Sequence, residues 1–114
     1  MKVKNFTQNA VLADKVRYCR GFWERLRGLL GRPKLSDTEA LWLSSCRAVH
    51  TFGMRYAIDA YFLNAKNEVV AVLKNLQPNR ISPYYLKARS VLEFSAGEGR
   101  RCLPGDRLGL EEER

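Results

Sequence analysis

The chain has 114 residues, enough for one hydrophobic core and too few for two, so a single domain spanning 1–114 is expected. Apolar residues make up 46% and charged residues 28%, which excludes a disordered chain. No apolar run approaches the roughly 20 residues that cross a bilayer, so no membrane partner is expected. The formal net charge of +8 is uneven: residues 1–34 hold nine Lys or Arg against two acids, and residues 35–114 hold eleven against ten.

Lys, Asn, Gln and Asp punctuate the first fifteen residues, so no export signal is read and a cytoplasmic location is expected. Ala10–Ala13 and Lys15–Cys19 each read as a short strand, with Asp14 between them. In the second, Val16 and Tyr18 face one way while Lys15, Arg17 and Cys19 face the other. From Phe22 to about Leu30 the spacing predicts a short amphipathic helix. Phe22, Leu26, Leu29 and Leu30 share one stripe, Gly31 follows as a cap, and Pro33 prevents continuation. Arg27 and Arg32 flank this element as candidate anion contacts.

Ser36–Glu39 is a polar turn, and Ala40–Leu43 has the composition of a buried strand. Ser44-Ser45-Cys46 then leads into His50-Thr51-Phe52-Gly53-Met54, where Gly53 sits between two large apolar residues and marks a bend. His50 is the single histidine and the natural candidate for proton chemistry near neutral pH. Ala57–Leu63 is a strand with Ile58, Ala60 and Phe62 on one face and Asp59, Tyr61 and Leu63 on the other. An Asp in such a strand needs partners, because a bare buried carboxylate is costly; Arg47, Arg55 or loop N–H groups are expected to supply them.

Asn64–Glu68 is a hairpin connection to a returning strand, Val69–Leu73, and the stretch from Leu76 to Tyr85 is irregular. Ser90–Phe94 is again a strand, with Glu93 alternating away from Leu92 and Phe94. Glu93, Asp59 and His50 are the residues from which acid–base catalysis would be built. A Pro104-Gly105 turn carrying Asp106 feeds a last short strand, followed by a charged tail over 111–114 that is expected to fray. The three cysteines are widely spaced and odd in number. A disulfide framework is therefore not expected, nor is a metal site. The Walker phosphate loop, the dinucleotide glycine pattern and the serine elbow are absent, so no cofactor is read.

The run His50-Thr51-Phe52-Gly53-Met54-Arg55-Tyr56-Ala57-Ile58-Asp59, followed by an apolar strand, resembles the signature of domain-of-unknown-function family 192. Arg27 to Arg32, Val91 to Gly97 and Gly105-Asp106 support the resemblance in the same order, over most of the chain. Leu30 stands where the family often shows Met, and Pro104 replaces a small or polar residue. Many relatives also begin with an export signal, which is not read here. The resemblance implies a compact, mostly-β domain, barrel-like or a sandwich, with one short helix over about 22–31. The family has no established activity, so His50, Met54, Arg55, Asp59, Glu93 and Asp106 are candidates by position alone.

The expected function is a small-ligand-binding or accessory domain with a cleft around the His50–Asp59 run. Its ligand would be small and anionic, met by Arg27, Arg32 and Arg55. One alternative is a hydrolase- or lyase-type enzyme using His50 with Asp59 or Glu93. Another is a polyanion-binding module, for example for nucleic acid, through the basic N-terminal third that includes Lys15, Arg17, Arg20 and Lys34.

Overall fold

The computed structural model describes residues 1–20 and 34–112. Among them run eight strands: β1 Lys2–Asn5, β2 Ala10–Ala13, β3 Lys15–Cys19, β4 Glu39–Ser44, β5 Ile58–Leu63, β6 Val69–Leu76, β7 Ser90–Ser95 and β8 Leu108–Glu111. The expected helix over 22–31, with Arg27 and Arg32, lies outside the described residues, and no helix occurs among those described.

The strands form a three-stranded sheet, β2-β1-β8, and a five-stranded sheet, β3-β4-β7-β5-β6. All pairs are antiparallel except β3 with β4, which is parallel and aligns Val16 with Ala40 and Tyr18 with Trp42. A barrel-like or sandwich arrangement was expected; the strands form two sheets and do not close into a barrel, since β2 and β8 end one sheet and β3 and β6 end the other. Backbone bonds join the sheets at two corners: at one Val16 N donates to Met1 O at 2.9 Å, and at the other, around a Glu68–Arg107 bridge, Val69 N donates to Asp106 O at 2.8 Å, Gly105 N to Val69 O at 2.7 Å and Leu108 N to Asn67 O at 2.9 Å. The pairing stops at these corners, and the two sheets lie over a shared core.

That core follows from the period-two patterns. Val3, Leu12 and Leu108 of the smaller sheet meet Trp42, Tyr61 and Phe94 of the larger one. Each such side chain removed from water contributes about 1.5–3 kcal/mol. The larger sheet is apolar on its other face too, where Leu41, Ile58, Ala60, Phe62 and Val91 form a second cluster. Two irregular segments help to cover this second face: Val49, Met54 and Tyr56 come from one, and Tyr85 and Ala88 from the other. The middle strands β5 and β7 are therefore buried on both sides, and all six residues of β5 are buried. Glu111, expected in the frayed tail over 111–114, belongs to β8, and its carboxylate lies 3.6 Å from Lys2 Nζ; 113–114 lie outside the described residues.

Candidate functional site

The covering segments form a two-ply flap. Ser82 N donates to Val49 O at 2.8 Å, and Val49 N donates to Ser82 Oγ at 2.9 Å. Thr51 N donates to Arg80 O at 2.8 Å, and Tyr85 N donates to Arg47 O at 2.9 Å. Thr51 is fully buried, and its hydroxyl donates to Gln77 O at 2.6 Å while accepting from Arg80 N at 2.9 Å. Gly53 adopts φ +80°, the left-handed region that favours glycine, and so turns the chain between Phe52 and Met54. The flap thus has an inner side on the sheet and an outer side in solvent.

His50 is on the outer side. It is exposed, its ring stacks on Phe52 with centroids 5.4 Å apart, and Nδ1 accepts from Phe52 N at 3.3 Å. Met54 packs against the apolar face below, and Arg55 is exposed. Cys46 Sγ donates to Ala48 O at 3.0 Å.

Asp59 and Glu93 lie on opposite faces of the five-stranded sheet. In the β5–β7 register Asp59 pairs with Phe94, and Ala60 pairs with Glu93. Asp59 therefore shares the face of Tyr61 and Phe94, towards the smaller sheet. Glu93 stands between Ala60 and Leu41 on the face beneath the flap. Among the described residues no hydrogen bond or ion pair joins His50, Asp59 and Glu93, so the geometry does not assemble them into one acid–base unit.

Asp59 is saturated with donors. Lys74 Nζ and Arg100 Nη1 each approach Oδ2 at 2.7 Å, Asn75 N donates to Oδ1 at 2.8 Å, and Gly97 N donates to Oδ2 at 3.2 Å. Burial alone would raise its pKa, but the bonds from Lys74, Asn75, Arg100 and Gly97 together hold the carboxyl below its ordinary range. This cluster pins β5 to the end of β6 and to the loop after β7. Loop N–H groups were expected as partners; the cations are Lys74 and Arg100, not Arg47 or Arg55. Asp106 has a comparable role. Its Oδ2 accepts from Asn5 Nδ2 at 2.8 Å, Gln8 Nε2 at 2.7 Å and Leu103 N at 2.9 Å, which ties the last turn to β1. The bond from Asn5 leads in holding its pKa low.

Glu93 is different. It is 5% exposed, and no hydrogen bond or ion pair reaches its carboxyl among the described residues. Burial pushes its pKa up to about 7. Tyr56, reaching in from the flap, has a buried hydroxyl with no hydrogen-bond partner. Burial raises the phenol pKa, and the charge of Glu93 raises it further, so the two groups share one electrostatic environment. Among the described residues the Tyr56 hydroxyl is the buried side-chain group without a hydrogen-bond partner, which is unusual because buried polar groups are nearly always bonded. Three or more His, Cys, Asp or Glu side chains placed to hold a metal are not found among the described residues.

The model of DUF192, described as an uncharacterised family, matches residues 3–110. The chain belongs to DUF192. Two solved structures share its fold. One is a protein of unknown function from Novosphingobium aromaticivorans DSM 12444, 20% identical, with a TM-score of 0.80 over 96% of this chain and 82% of that one. The other is a provisionally named transcription regulator from Sinorhizobium meliloti 1021, 20% identical, with a TM-score of 0.75 over 95% of this chain and 89% of that one. At that identity the likeness concerns the fold alone. None of the curated proteins compared matches the chain.

Within this DUF192 chain, sequence reasoning passed over Thr51, Tyr56 and Ser82. Thr51 and Tyr56 lie inside the matching run, yet each reads there as an ordinary loop residue. Only Glu93 carried a signal, as an acid interrupting an apolar strand.

Proposed function

We propose that this protein is a small-molecule-binding domain whose ligand sits under the flap, against Glu93 and Tyr56. The observation that supports this is the buried Tyr56 hydroxyl without a hydrogen-bond partner, close to a Glu93 carboxyl that meets no donor among the described residues. A bound ligand would satisfy both and remove the cost of leaving them empty. With its pKa near 7, Glu93 is largely a neutral acid in mildly acidic solution. It then offers an O–H donor beside the Tyr56 hydroxyl, and two converging donors suit an anionic acceptor such as a carboxylate. Arg55, the neighbouring residue in the flap, adds a positive charge. Affinity for such an anion should fall as pH rises through 7, because an ionised Glu93 would repel it. The three free cysteines suit a reducing compartment, and a cytoplasmic setting is part of this reading.

The test is an amide NMR titration of the labelled protein with a pool of small carboxylic acids at pH 6 and pH 8. Shifts at Met54–Tyr56 and at Leu41, Ala60 and Glu93, stronger at pH 6, are expected. Absence of shifts at these positions at either pH would refute the reading. An acid–base enzyme on this scaffold would have to rely on Glu93 and Tyr56 in place of His50, since these are the groups that share one environment.

A further inference from the structure

The outer side of the flap has its own composition. Among the described residues, the two most exposed large hydrophobic side chains are Leu86 at 75% and Ile81 at 68%, and both are on the flap. Tyr84 at 63% and Phe52 at 49% join them. His50 bridges Ile81, and the side chain of Arg47 donates from Nη1 to Tyr84 Oη at 3.2 Å, while Leu86 lies farther along the same flap segment, with Lys87 and Arg89 next to the Asn64–Glu68 turn. The two segments, 46–58 and 77–89, carry Arg47, Arg55, Arg80, Lys87 and Arg89 and no Asp or Glu. None of these five cations is in an ion pair among the described residues, where the pairs are Lys2–Glu111, Lys74–Asp59 and Arg100–Asp59.

We infer that the outer side of the flap docks on an anionic lipid surface. The argument is one of charge and side-chain type. The charged side chains of the two flap segments are all cationic, with Glu68 the acid that borders them at the Leu86 end, and this excess of positive charge calls for a negatively charged partner. Nucleic acid would use the rings of Phe52, Tyr84 and His50 for stacking, but it leaves Ile81 and Leu86, the two most exposed apolar side chains, without a role. A bilayer interface uses all three kinds of group. Aliphatic tips enter the acyl boundary, aromatic rings settle at headgroup level, and Arg and Lys meet anionic headgroups. The flap is already locked by Thr51 and Ser82, so docking orders little new backbone. That no described helix is long and apolar enough to cross a membrane bears on crossing and not on lying against one, and this proposal departs from the expectation of no membrane partner.

The test is co-sedimentation of the full chain with vesicles of phosphatidylcholine alone and with 30 mol% phosphatidylglycerol, at low and physiological salt. A short single-stranded oligonucleotide and soluble glycerophosphate serve as competitors. Binding to the anionic vesicles alone is expected, weakening with salt. The double variant Arg80→Gln/Lys87→Gln should bind roughly 25-fold more weakly, at about fivefold per charge. Ile81→Ser/Leu86→Ser should weaken binding at unchanged net charge. Lys15→Gln/Arg17→Gln, on the exposed side of β3, removes the same charge elsewhere and should have a much smaller effect. Three results would overturn the inference: no sedimentation with anionic vesicles, equal loss in the β3 variant, or displacement by the oligonucleotide at lower concentration than by competing vesicles. All six positions bear surface side chains, and circular dichroism checks that each variant is folded.

Discussion

Replacing Glu93 with Gln should stabilise the protein, and the gain should depend on pH in a defined way. Glu93 is buried between Leu41 and Ala60 without a polar partner, and its pKa rises from an ordinary 4.5 to about 7. An acid whose folded pKa is raised costs nothing below its unfolded pKa, where both states are protonated. The cost grows as pH climbs from 4.5 and is complete above about 7, where the folded protein must hold a charge in an apolar setting. At about 1.4 kcal/mol per pH unit, the full penalty is about 3 kcal/mol. Glutamine keeps the shape and cannot ionise, so Glu93→Gln should match the wild type near pH 4.5 and exceed it by about that amount at pH 8.5. For a chain of this length the gain corresponds to a rise in Tm on the order of 10–20 °C. Urea unfolding at pH 4.5, 6.5 and 8.5 measures it, and an unchanged m-value would show that the unfolded state is not the cause. A difference that stays flat across this range, or a variant less stable at pH 8.5, would refute the reasoning. Either would mean that Glu93 is ionised and paired in the folded protein.

The other predictions concern the same framework. Asp59→Ala should cost about 3–5 kcal/mol, because it takes the carboxylate away from the largely buried Arg100 guanidinium, which keeps only its Nη2 bond to Ser95 O, and leaves the N–H groups of Asn75 and Gly97 without their acceptor. Lys74 contributes less because its ammonium end is more exposed. A loss below about 1 kcal/mol in urea unfolding would show that the cluster is not structural. Asp59 has the opposite pH behaviour to Glu93: with a lowered folded pKa, its stabilisation is present above the ordinary carboxylate range and is lost as pH falls through the folded value. Thr51→Val should cost about 2 kcal/mol and speed amide hydrogen exchange at Arg80, since it removes both bonds of the buried hydroxyl. Tyr56→Phe should leave stability unchanged or raise it by about 1 kcal/mol, while weakening any ligand found in the carboxylic-acid titration. A large destabilisation would mean that the hydroxyl has a partner in the folded protein.

The strands of the larger sheet were legible because their patterns are strong. Ile58–Leu63 and Ser90–Ser95 are short apolar runs each interrupted by one acid, and both fall in the structure close to where the sequence puts them. β1 was missed as a strand. Lys2-Val3-Lys4-Asn5 offers one apolar residue, yet it is the central strand of its sheet, because Val3 fills the shared core and Asn5 anchors Asp106. β6 continues three residues beyond its predicted end at Leu73. Lys74 and Asn75 are polar, but Asp59 gives both of them a partner. The candidate acids were found as residue types, and their roles were not. Asp59 and Asp106 are cross-links, and only the β5–β7 register shows that Glu93 faces away from Asp59.

The local pattern of side chains determined what could be settled within a few neighbouring residues: a mostly-β chain, the faces of β5 and β7, the bend at Gly53 and family membership. Tertiary structure alone decided the division into two sheets, the parallel pairing of β3 with β4, and which acid is neutralised and which is left unpaired. The physical reason is that a carboxylate's protonation and role depend on the donors brought to it through space. For Asp59 those donors lie 15 to 41 residues away along the chain, and for Glu93 none is brought among the described residues.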